Sequence, residues 1–181
     1  MTPTDELLSI APPPKKAIGT GTGQEWALFE RHWKLEFPED FKWLIKTYGS
    51  GRFADFFGIA APFYISKGDI SHEEYVNLRL GGVRYAQTAM PKYAASFPTH
   101  PAAGGLFPFG YTDNGGTLFW LTEGENNQWP IVCMDNAYSK DFNLYRLTLV
   151  SFLTKWLRNE IHVVTTPESL FPFRGQVFRS H

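Results

Sequence analysis

A single cysteine, Cys133, stands in the 181 residues, which excludes an internal disulfide and any thiolate framework for zinc. The five histidines (His32, His72, His100, His162 and His181) include no pair at the i, i+4 spacing that would set two imidazoles on one metal. No apolar run approaches the ~20 residues that span a bilayer. The opening "MTPTDELLSIAPPPKK" has neither the basic start nor the apolar stretch of a secretory signal. These absences lead to the expectation of a cytoplasmic protein with no membrane partner. Nucleophile motifs are missing as well: there is no Gly-x-Ser-x-Gly elbow, and Cys133 lies in the apolar run "PIVC", where a thiol is inert core. "GTGTG" lacks the Gly-Lys-Ser/Thr that completes a phosphate loop. "TDNGG" lacks the alternating oxygen ligands and closing Glu of a calcium loop. The sequence therefore predicts no catalytic residues, no metal site and no cofactor.

Cations are absent where acids are not. Positions 93 to 139 hold no Lys or Arg against Asp113, Glu123, Glu125 and Asp135, whereas the preceding segment is neutral and the following one basic. The net charge is -1, so the chain is not built to neutralise phosphates, and nucleic acid is excluded as a direct partner. Two readings of the acidic stretch stand side by side. Buried strands exclude Lys and Arg and leave acids in the turns, or the four acids form a surface that meets a basic partner.

What the chain does have is apolar and aromatic material, 43% and 17% of its residues, enough for a sizeable aromatic core in one domain. Residues 1–22, rich in Pro, Gly and Thr, read as a flexible N-terminal arm, and residues 23–181 as a single domain with an extended tail from about 162. Trp26, Phe29 and Trp33 share a helical face. "FPEDFKWLIKTYGSG" carries every helix boundary signal: Pro38 at the first helical position, acids in the first turn, a Phe41, Leu44, Ile45, Tyr48 stripe, and Gly49 as a left-handed cap. "FADFFGIAAPFYI" reads as one or two short strands. A helix is expected from about Ser71 to Leu80, ended by "GGV". Leu106–Tyr111 and Thr117–Thr122 read as strands of a hairpin around "TDNGG", and "WPIVCMD" as the third strand of a meander. "FNLYRLT" adds a further strand, and Leu149, Phe152, Leu153, Trp156 and Leu157 form a helical stripe with Thr148 as its N-cap. The fold class is α+β: a mostly antiparallel sheet with a central three-strand meander, flanked by helices from the N-terminal third and the C-terminal region.

In order, the "W..FE" helix, "FPEDFKWLIKTYGSG", "GGLFPFGYTDNGGTLFW", "WPIVCMD" and the closing "SFLTKWL" helix resemble the SUKH superfamily, bacterial immunity proteins together with fungal cell-wall synthesis regulators. The likeness runs from about Trp26 to Leu157. The family's helix motif falls on Trp26, Pro38, Asp40, Tyr48, Gly49 and Gly51, and its sheet motif on Gly110, Asp113, Gly116, Trp120 and Trp129. Phe37 replaces the usual leucine before the proline. The resemblance implies no catalytic activity and binding to a polymorphic toxin domain; many such toxins act on nucleic acid and are basic, and against a basic toxin the acidic stretch makes Asp113, Glu123, Glu125 and Asp135 the candidate partner-binding residues. Two other readings remain: a regulatory scaffold unrelated to toxins, and a small-ligand binder with a cleft between the sheet and the Pro38 helix.

Overall fold

The computed structural model describes residues 2–65, 67–68 and 70–181. Except for the one that follows Pro38, its described α-helices begin where the sequence supplies side-chain caps. In α2 (Gly23–Trp33), Thr22 and Glu25 form a reciprocal capping box, and the helix stops at Lys34 in the left-handed conformation, φ 53°. In α3 (Glu39–Tyr48), Pro38 stands one residue outside the helix instead of at its first position. Gly49 ends the helix with φ 71°, and a Cβ there would overlap the Ile18 backbone. Helix α5 (Leu149–Leu157) starts from the Thr148 hydroxyl as expected.

Two helical regions differ from the sequence reading. Residues 1–22 contain an ordered helix, α1 (Pro3–Ile10), where a loose arm was expected. Thr2 and Asp5 cap it, Leu7 and Ala11 are fully buried, and the helix lies against α5. The Tyr48 hydroxyl donates to the Ala11 carbonyl at 2.7 Å, fastening the segment after α1 to the end of α3. Helix α4 (His72–Ala89) begins with a Ser71–Glu74 capping box and runs through Gly81 and Gly82 without a break. A glycine inside a helix costs about 1 kcal/mol. Gly82 offsets that by letting the Tyr138 ring approach so closely that a Cβ would collide with it.

The described strands form one sheet, antiparallel at every pairing, in the order β6-β5-β4-β3-β2-β1-β7. They are β1 (Gly51–Phe53), β2 (Phe57–Ile59), β3 (Leu106–Thr112), β4 (Thr117–Leu121), β5 (Ile131–Met134), β6 (Phe142–Tyr145) and β7 (Phe178–Ser180). The β3–β4 hairpin turns through Gly115 at φ 88°, with the Thr112 hydroxyl accepting the Gly116 amide at 2.8 Å. Strand β7 comes from the C-terminal tail and closes on β1, placing Phe178 against Tyr48 and Phe53 with ring centroids 4.9 Å from each.

Side-chain alternation sorts the sheet into two faces. One carries Trp120, packed by Phe41 of α3 at 4.9 Å, and Phe57, packed by Trp156 of α5 at 4.0 Å. On the other, Phe119 meets Tyr138, and α4 lies over β3 with the Tyr75 hydroxyl donating to the Gly110 carbonyl at 2.7 Å. This second face is helix-covered over β3, while its β2–β1–β7 half borders a cleft.

Candidate functional site

The register sets Arg52 of β1, Gly58 of β2 and Tyr111 of β3 side by side across that uncovered half. Gly58 is what makes the arrangement possible: a Cβ there would overlap the Tyr111 ring, which lies across β2 in its place. From this position the Tyr111 ring faces the Arg52 guanidinium, 5.5 Å from its centroid, and its hydroxyl comes within 3.3 Å of the His181 imidazole. Arg79 enters from α4, with its guanidinium 5.5 Å from the Tyr75 ring. Together these side chains border a cleft of about 410 Å³, walled on its apolar side by Ala60, Ala61 and Ile70.

The two arginines differ in pairing. Arg52 donates to the Asp113 carboxylate at 2.7 Å. Arg79 makes no ion pair among the described residues, and its buried Nε–H has no hydrogen-bond acceptor among them. His72 also lines the cleft and packs against Phe29, 4.9 Å between ring centroids, with its Nδ1 buried and without a hydrogen-bond partner among the described residues. Burial, reinforced by the charge of His32, pulls its pKa down to about 4, so the imidazole is neutral at pH 7. Chemically, the cleft offers guanidinium and hydroxyl donors beside an apolar wall, a combination suited to holding an oxyanion.

The four acids singled out in the sequence do not converge. Asp113 and Asp135 lie at one end of β4, next to the Thr117–Met134 pairing, and Glu123 and Glu125 follow Leu121 at the other end. Asp113 is exposed and engages Arg52. Glu123 and Glu125 are exposed in the β4–β5 turn, where Glu125 accepts from the Gln128 side chain at 3.3 Å. Asp135 holds its own turn, accepting the Ala137 and Ser139 amides at 3.1 and 3.0 Å and the Ser139 hydroxyl at 2.9 Å. Among the described residues no three His, Cys, Asp or Glu side chains group as a metal site would require. Burial pushes the Cys133 thiol up, away from thiolate chemistry.

The motif residues have jobs inside the fold. Trp26 donates its indole N–H to the Thr20 carbonyl at 3.2 Å, and Trp129 donates to Gly124 at 3.3 Å. Trp120 stacks on Phe109 at 4.2 Å. Gly51 leaves room for Phe178, and Gly116 for Thr165 and the Met134 carbonyl. Asp40 reaches from α3 to accept the Val150 amide at the start of α5, 3.0 Å away. A family model described as SMI1-KNR4 cell-wall, of the SUKH group, matches residues 23–153. The chain belongs to the SUKH superfamily. A search of curated proteins finds no match. The SUKH match starts at α2 and stops within α5, so α1 and β7 lie outside it. No described helix is long and apolar enough to cross a membrane.

The cleft residues escaped sequence reading because Arg52, Arg79, Tyr111 and His181 are scattered over 130 positions in no motif. They meet only because β7 pairs with β1 and α4 folds back over β3. The expected cleft beside the Pro38 helix is not where this one lies, since that face is filled by Phe37, Phe41 and Trp120.

Proposed function

We propose that this SUKH protein is a non-catalytic immunity protein that binds a polymorphic toxin domain, one acting on nucleic acid being the best fit, and neutralises it by occlusion. The observation that carries the reading is the division of labour within the SUKH match. Most of the motif residues serve the fold, while apolar side chains outside the motif remain exposed. Leu28 is 53% exposed and Ile65 56%, and both border a groove between α2 and the start of α4 that Glu25 and Glu73 also line. Apolar groups rimmed by charge are the make-up of a protein-binding surface. Exposed acids at Asp113, Glu123 and Glu125 add a field that steers a basic toxin toward the module.

Co-expression with the product of the adjacent upstream gene tests this. Restored growth and co-purification are expected, and both should be lost in a Leu28→Arg, Ile65→Arg double variant that keeps its melting temperature. Toxicity unchanged by the intact chain would reject the reading.

A second reading has its own support in the description of the matched model, SMI1-KNR4 cell-wall. On that reading the same surfaces recruit endogenous partners as a regulatory scaffold. A gene neighbourhood of envelope functions with no toxin beside it would favour the scaffold.

A further inference from the structure

We propose that the cleft between α4 and the β2–β1–β7 half of the sheet is a binding site for a small organic oxyanion, a carboxylate or phosphate carried on a flat apolar body. The proposal does not depend on the identity of any protein partner. Its first support is Arg79. A guanidinium with a buried Nε–H and no carboxylate partner among the described residues is an unfavourable thing to keep unless something outside the chain satisfies it. Its second support is convergence. Arg52 approaches the same cleft from β1, held by Asp113 at 2.7 Å and facing the Tyr111 ring, so its guanidinium is positioned at the cleft by neighbours on the sheet. Two guanidiniums lining one cleft with the Tyr111 phenol suit a planar, multi-acceptor carboxylate or phosphate.

The third support is shape. A volume of about 410 Å³ lies in the range of small-molecule pockets, and the wall of Ala60, Ala61 and Ile70 gives an apolar body somewhere to lie. Gly58 completes the design, because only a residue without a Cβ lets the Tyr111 ring lie in the floor of the cleft beside Arg52. His72, embedded among aromatic rings, adds a flat face to the lining.

Calorimetry and thermal-shift titration of the full chain at constant ionic strength and pH 7.5 test this. The probes are phenyl phosphate, benzoate and inorganic phosphate, with benzamide and benzamidine as neutral and cationic controls. Phenyl phosphate or benzoate should bind saturably, at least tenfold more tightly than inorganic phosphate, and the better of the two identifies whether the natural ligand bears phosphate or carboxylate. Benzamide and benzamidine should produce no saturable signal. Arg79→Gln should weaken the winning anion at least tenfold while the ligand-free melting temperature holds. Arg52→Gln, on β1 instead of α4, should do the same and decides the matter if Arg79→Gln does not fold. Absence of saturable binding by all three anions overturns the proposal. So does equal binding of benzamide, or affinity within twofold of the parent chain in the folded arginine variants.

Discussion

Asp40 sits in the first turn of α3, yet its carboxylate accepts the Val150 amide at 3.0 Å and so caps α5. Burial pushes its pKa up while the amides of Val150 and Leu149 hold it down, with burial the stronger effect. Asp40→Ala should lower stability by about 1–3 kcal/mol, read as a reduced urea midpoint with an unchanged slope. The resemblance named Asp40, but its role was not legible, because the group it caps lies 110 positions further on. His72 makes a second test. Its pKa is depressed to about 4 in the folded chain, against about 6.5 when unfolded. The unfolded state therefore takes up the proton first as pH falls. The stability this neutral imidazole confers is complete above pH 6.5 and drains away toward pH 4, by up to about 3 kcal/mol. His32 and Glu73 stand beside it, 3.7 Å apart, and the readout is taken as a difference between variants. His72→Phe should flatten the urea-midpoint profile between pH 6.5 and 4 relative to the parent chain, and an unchanged profile would contradict the assignment.

Among the elements, those with an internal period and clear boundary residues are legible in the sequence. The Phe41, Leu44, Ile45, Tyr48 stripe of α3, the Thr148 start of α5 and the glycine-rich turn between β3 and β4 stand where local chemistry puts them, with Pro38 displaced by one residue. The misread elements get their reason to exist from elsewhere in the chain. Helix α1 is eight residues long, too short to persist alone, and is held by α5 and by the Tyr48 bond to Ala11. Strand β7 is three residues long and exists because β1 offers it an edge. The extension of α4 through Gly81 and Gly82 depends on Tyr138, a contact invisible in local sequence. Phe178 is 1% exposed between Tyr48 and Phe53, so Phe178→Ala should destabilise the protein by about 3–5 kcal/mol. Deleting residues 175–181 should do the same and also leave β1 as a bare edge prone to association, measured by thermal unfolding and light scattering. A tail deletion that leaves the melting temperature unchanged would show that β7 is not part of the folded core.

For the molecule as a whole, the acids of the stretch from 93 to 139 do not gather into one surface. The strands are buried and exclude cations, and the acids stand in turns at two ends of the sheet, doing different work. Glu123→Lys with Glu125→Lys should leave the melting temperature within a degree or two but slow association with a basic partner severalfold at low salt, an effect that fades as salt rises. Asp135→Lys should instead lower the melting temperature, because three hydrogen bonds of its turn converge on that carboxylate. No such sorting could be read from composition, and neither could the cleft, whose walls are assembled from residues as far apart as Ser50 and His181. The central claim is that the protein acts by holding another protein. Its most direct test is to mix the purified chain with the purified product of the upstream gene, follow the mixture by size-exclusion chromatography with light scattering, and assay the toxin in the same fractions. The account requires a stoichiometric complex in which toxin activity is lost. Separate elution with toxin activity intact would contradict it.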